Sequence, residues 1–74
     1  MQIEVRLFAG LRVGRFNRQG MAVPDGARLR DVLRMLEIPE NEVSLPLING
    51  RYSRMEDPLG ADDVLSVFPA VGGG

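Results

Sequence analysis

The sequence ends in Pro69-Ala70-Val71-Gly72-Gly73-Gly74, and this stretch holds the residues whose types and spacing best suit chemistry. Glycine has no Cβ, so such a backbone enters a narrow channel and takes whatever φ the channel requires. Six extended residues reach up to ~20 Å from a folded body. A terminal glycine also leaves its carboxylate unhindered. With a pKa near ~3.5 that carboxylate is ionised at neutral pH, and it is a poor electrophile until it attacks the α-phosphate of ATP and becomes an acyl-adenylate. Gly73 and Gly74 are therefore the residues expected to bear the chemistry. Either Gly74 is activated directly or it is trimmed to Gly73.

No rival site emerges elsewhere. The chain has no histidine, cysteine or lysine, which removes the usual bases, nucleophiles and soft metal ligands. No glycine-rich phosphate loop precedes a helix. Asp62-Asp63 and the Glu40/Glu42 pair are neighbours in sequence and read as turn-capping, solvated carboxylates. Activation is thus expected in trans, on a partner that binds ATP; the chain itself is expected to be no enzyme and to hold no cofactor or metal. All nine basic residues are arginine. The only amine that could capture an activated tail on the same chain is that of Met1.

The net charge of −1 argues against binding nucleic acid by phosphate neutralisation. No apolar run is long enough for a bilayer, and Met-Gln-Ile-Glu-Val-Arg lacks the form of a signal peptide. A cytoplasmic protein with no nucleic-acid or membrane partner is expected. At 74 residues the chain makes one domain that buries only about 60% of its unfolded surface, with no cysteine to staple it.

The elements that must position the tail follow from periodicity. Ile3, Val5 and Leu7 alternate with Gln2, Glu4 and Arg6, which predicts a half-buried strand; Phe8 breaks the pattern by falling on the polar face. Ala9 to Gly20 reads as a long connection carrying Arg12, Arg15 and Arg18, either a solvated loop or an anion site. Met21 to Val23 predicts a second strand, ended by the Pro24-Asp25-Gly26 turn. Leu29, Val32, Leu33 and Leu36 make one apolar stripe of a helix over Arg28 to Glu37, weakly capped at its start and stopped by Pro39. Ser44 to Ile48 is strand-like, with Pro46 marking an edge or bulged position. Asn49-Gly50 predicts a type I′ hairpin turn, Arg51 to Met55 a returning strand, and Asp57 to Gly60 another turn from which Leu59 plugs the core. Val64 to Phe68 is the last strand, with Pro69 ending its pairing. One helix on one face of a mixed sheet of four to five strands is an α+β, two-layer arrangement. If the first and last strands pair in parallel at the centre, this is the β-grasp or ubiquitin-like fold, with a body over 1–68 and a flexible Gly-rich tail over 69–74.

Two stretches resemble a known family, the MoaD/ThiS-type β-grasp sulfur carriers. Val5-Arg6-Leu7-Phe8-Ala9-Gly10-Leu11-Arg12 is similar to the LFA-x-LR opening of the molybdopterin synthase small subunit, MoaD. Asp63 to Gly73 is similar to that family's D-x-V-x-x-F-P-P-V-x-G-G ending. The resemblance implies a terminal glycine adenylated by an E1-like enzyme of the MoeB/ThiF type and converted to a thiocarboxylate. It further implies docking on a MoaE-type large subunit, where sulfur passes to the pterin precursor of the molybdenum or tungsten cofactor. By position, Phe8, Arg12, Phe68, Pro69, Val71 and Gly72 would contact partners. An aromatic on a polar strand face, as Phe8 is, suits an interface anchor. The sequence departs from the pattern in a third terminal glycine, in Ala70 for the second proline, in Asp62 where glycine is common, and in a short middle without a second helix. Three other readings stay open: a ThiS-like carrier for thiamine or amino-acid synthesis, a ubiquitin-like protein modifier, and a β-grasp interaction module whose tail is inert.

Overall fold

Strand β1 (Gln2–Leu7) runs through the middle of the molecule and buries Ile3, Val5 and Leu7, as its alternation requires. Antiparallel to it lies β2 (Arg18–Ala22), an edge strand that starts earlier than the apolar Met21-Ala22-Val23 run suggests. On its other side is β5 (Val64–Pro69), in parallel, with Leu7 beside Val67. Strand β3 (Val43–Ile48) pairs antiparallel with β5, and the two-residue β4 (Arg51–Tyr52) closes the sheet in the order β2-β1-β5-β3-β4. The first and last strands thus form the parallel centre of a mixed five-stranded sheet, the expected β-grasp arrangement. The computed structural model describes residues 1–70.

Helix α1 (Leu29–Met35) lays Leu29, Val32 and Leu33 against Val5, Leu7, Leu65 and Val67 on one face of the sheet. Leu11, Ala27, Ile38 and Leu59 seal the edges of this core from loops. Among the described residues no helix is long and apolar enough to cross a membrane.

Both helix ends are closed in ways that the sequence hides. At the start, the Arg28 N–H donates to the Asp31 carboxylate at 2.9 Å. This is half of a capping box, since an arginine N-cap offers no side-chain acceptor in return. At the end, the helix stops before Pro39. Glu37 adopts φ +57, its N–H donates to the Arg34 carbonyl at 3.0 Å, and the Ile38 N–H reaches the Leu33 carbonyl at 2.9 Å. That is a Schellman closure, with buried Ile38 supplying the apolar contact, built on glutamate where glycine is usual.

The prolines are tolerated for a common reason. The Pro46 carbonyl accepts from the Ser53 N–H, so its nitrogen also faces the β4 side, where pairing has stopped at Tyr52. A missing N–H there costs the ladder nothing. A register shift between Val43 and Leu45 bulges the same strand, as the sequence suggests. Pro69 does not end pairing: it lies opposite Val43 and is the last residue of β5. Its nitrogen shares the orientation of Val67, towards β1, which has already ended.

The turns behave as expected at Asn49-Gly50, with φ +53 and +81, and at Asp62, whose φ of +66 explains why glycine suits that position. The returning strand is shorter than Arg51 to Met55, because the chain leaves the sheet after Tyr52. The link after Pro39 is a single 3₁₀ turn, Glu40–Glu42.

Candidate functional site

The β1 and β5 ends bring together the residues that lead into the tail. Past Leu7 the chain makes one last sheet bond, Phe8 N–H to the Val67 carbonyl at 3.2 Å, and then turns through Ala9 at φ +50 into a 3₁₀ helix, Ala9–Arg12. Period-two alternation puts Phe8 on the sheet face away from α1. Phe68, one position past the Leu7–Val67 pair on β5, points the same way. Their rings stack with centroids 4.1 Å apart and planes within 11°.

Arg12 completes this cluster. Its Nε donates to the Leu7 carbonyl at 2.8 Å, and its guanidinium carbon lies 5.4 Å from the centroid of the Phe8 ring. The group is thereby aimed across the aromatic face, a favourable place for a cation. Leu45, opposite Phe68 on β3, is 41% exposed, and Tyr52, opposite Leu47, is 67% exposed. The open face therefore grades from Glu4, Arg6 and Arg18 on the β1–β2 side to aromatic and aliphatic groups on the β5–β3–β4 side. Glu4 accepts from Arg6, which with the help of Arg18 holds its carboxyl below the usual glutamate range against the opposing effect of desolvation.

The root of the tail is held by β3. The Ser44 hydroxyl donates to the Pro69 carbonyl at 2.8 Å, and the Ala70 N–H donates to the Glu42 carbonyl at 2.8 Å. A shallow recess of 380 Å³ lined by Gly10, Leu11, Asn41, Glu42, Pro69 and Ala70 opens at this point. Val71, Gly72, Gly73 and Gly74 lie outside the described residues.

Phe8, Arg12, Phe68 and Pro69 are thus brought to one end of the sheet. Ser44, Leu45, Glu42 and Ala9 join them without having been singled out in sequence. Leu45 was hidden because β3 is apolar on both faces, so alternation selects neither. Ala9 was hidden because alanine rarely takes a positive φ, and here it does so beside Gly10, which does not. The loop arginines each have a partner within the fold, although Arg12 and Arg18 stay exposed to solvent. Arg12 is used as described, Arg18 lies 3.4 Å from Glu4, and Arg15 donates to the carbonyls of Leu36 (3.1 Å), Leu11 (3.2 Å) and Glu37 (3.0 Å). Among the described residues no group of three acidic or soft side chains could hold a metal ion.

A five-stranded β-grasp sheet with an aromatic open face at the root of its C-terminal strand defines the class of ubiquitin-like carriers. The chain belongs to the ThiS family, whose model matches residues 5–74. Three solved structures are similar to it. One is a protein assigned as subunit 1 of molybdopterin converting factor from Pyrococcus furiosus (27% identity, covering 96% of this chain and 99% of that one, TM-score 0.79). Another is the HVO 2177 protein of Haloferax volcanii (36% identity, 100% and 87% covered, TM-score 0.80). The third comes from a complex of subunits 1 and 2 of molybdopterin-converting factor from Helicobacter pylori (25% identity, 100% of both chains covered, TM-score 0.67). No curated protein matches the sequence.

Proposed function

We propose that this carrier delivers sulfur in molybdopterin or tungstopterin synthesis, with residues 1–70 as a docking body and 71–74 as the reactive tail. The observation that carries the reading is the stacked Phe8–Phe68 pair beside Arg12 and Leu45, directly upstream of the glycines. A half-buried aromatic pair flanked by Arg12 and by exposed Leu45 is the type of surface that supplies binding hot spots. The Pyrococcus and Helicobacter neighbours, each titled as a molybdopterin converting factor, support the same assignment.

In this reading an E1-like enzyme of the MoeB/ThiF type binds the open face and receives the tail. The terminal carboxylate of Gly74, or of Gly73 after trimming, attacks the α-phosphate of ATP and pyrophosphate leaves. Hydrosulfide then attacks the acyl carbon, AMP leaves, and the thiocarboxylate forms. The body moves to a MoaE-type large subunit, Phe8, Arg12, Phe68 and Pro69 dock again, and Val71 and Gly72 thread the thiocarboxylate to the pterin precursor. Both partners read one surface, so binding is sequential and mutually exclusive.

Incubation with ATP, a MoeB/ThiF-type enzyme and a sulfur source should change the intact mass by one oxygen replaced with sulfur, and deletion of Gly72 to Gly74 should abolish the change. An unchanged mass with an enzyme proven active on its own carrier rejects the reading. A second reading, a ThiS-like carrier that supplies sulfur to a thiazole precursor, is compatible with the same family match. Recovery of a thiazole synthase rather than a pterin synthase subunit by affinity capture decides for it.

A further inference from the structure

We propose that the fold keeps the activated tail from being consumed by its own chain, so that the acyl group passes only to a nucleophile on another molecule. The inference rests on the carrier reading above. It is carried by composition and by topology together.

The sequence contains no lysine, which leaves the Met1 ammonium as its only amine. That group is held at the start of β1, donating to the Val23 carbonyl at 2.7 Å with the Asp25 carboxylate 3.4 Å away. The tail departs from the far end of β5. Because β1 and β5 are parallel, with Leu7 beside Val67, Met1 is level with residue 61. At ~3.3 Å of rise per residue, Ala70 lies roughly 30 Å away along the sheet. The residues beyond Ala70 span at most ~14 Å whatever their conformation. The amine is therefore out of reach by about half the distance. An antiparallel central pair would have put the same two groups at one pole.

The nearest other nucleophile is the Ser44 hydroxyl, beside the tail root. Its proton is donated to the Pro69 carbonyl, and the chain has no histidine to activate it as a base. A carrier that waits between two partners with a reactive acyl group gains from this arrangement, since capture by a nearby amine would end in an inert lactam.

The test uses a thioester on Gly74, made by intein cleavage, and needs no adenylating enzyme. Capture would form a C–N bond and break the C–S bond, with the thiolate leaving and taking the amine proton. The product has lost the thiol without gaining water. Folded wild-type protein at mildly alkaline pH should give hydrolysed acid and no lactam. Asn41→Lys and Gly10→Lys each place an amine at the tail root, on an exposed turn residue and on a glycine with nothing within 4 Å of a new Cβ. Each should form lactam at least ~10-fold above the detection limit that wild type does not reach, because tethering raises the effective amine concentration to the millimolar range. Ala22→Lys, level with Gln2 at the other pole, should form none. A head-to-tail lactam or a Ser44 ester in folded wild type overturns the inference. So does failure of both root lysines to react, since separation would then not be what protects the tail. Neither outcome touches the sulfur-transfer assay, and failure of that assay leaves this result standing.

Discussion

The rings of Phe8 and Phe68 stack on the face that α1 does not cover, so their contribution to folding and to docking can be separated. The stacking of an aromatic pair is worth about 0.5–1.5 kcal/mol beyond the area the rings bury, whereas loss of an interface anchor costs about 2 kcal/mol or more of binding. Phe68→Ala should therefore remain folded in a urea melt, yet, in the carrier reading proposed above, bind a MoaE-type subunit roughly 30-fold or more weakly by calorimetry. Unchanged affinity would make the ring a packing element only. Glu4 gives the pH dependence of the same face. Its folded pKa lies below the unfolded value because Arg6 favours the charged form, so its stabilising effect is present above the usual glutamate range and lost as pH falls through the folded value. Urea midpoints between pH 6 and pH 3 should fall less steeply in Glu4→Gln, and added salt should shrink the difference. Phe8 was legible in the sequence because it broke an otherwise polar alternation. Ser44 was not, because its role depends on a bulge that places it beside Pro69, a tertiary event with no local signature.

Two connections determine how the elements hold together. Arg15 ties the β1–β2 loop to the carbonyl end of α1, satisfying Leu36 and Glu37, which no backbone donor in the helix can reach. Arg15→Ala should cost about 1.5–3 kcal/mol, the range for hydrogen bonds to a charged group, and Arg15→Lys should recover only part, since a compact ammonium does not span three carbonyls as the planar guanidinium does. Glu37 offers the opposite sign. A side chain at φ +57 and a negative charge at a helix C-terminus are both unfavourable. Glu37→Gly should therefore raise stability by about 1 kcal/mol in chemical denaturation. The apolar stripe of α1 and the alternation of β1 and β5 made these elements readable from sequence. The start of β2 was not readable, because an edge strand of Arg18, Gln19 and Gly20 has no buried face to impose a pattern. The helix stop was misplaced for a related reason: proline announces an ending, but a left-handed glutamate had already made it.

At the scale of the whole molecule, one core joins every element, and a chain of this size has little stability to lose. Leu33, fully buried against the sheet, should lose about 2–5 kcal/mol on truncation to alanine, against roughly 4–11 kcal/mol expected for the whole domain. Leu33→Ala is predicted to melt far below wild type in a thermal scan. The β-grasp order was legible because β1, α1 and β5 carried their own periodicity; the parallel pairing of the first and last strands was a condition left open by the sequence, and the structure meets it. That central pairing also governs how the molecule comes into being. The first strand synthesised finds its principal neighbour only when the last is made, so contacts of high sequence separation must form before the core closes. Folding is slow relative to a helical domain of this length, and it waits for completion. A chain broken off before Val64 has no centre and stays unfolded, open to proteolysis. Proteolysis would therefore select for molecules whose synthesis has run through β5, to the threshold of the glycines.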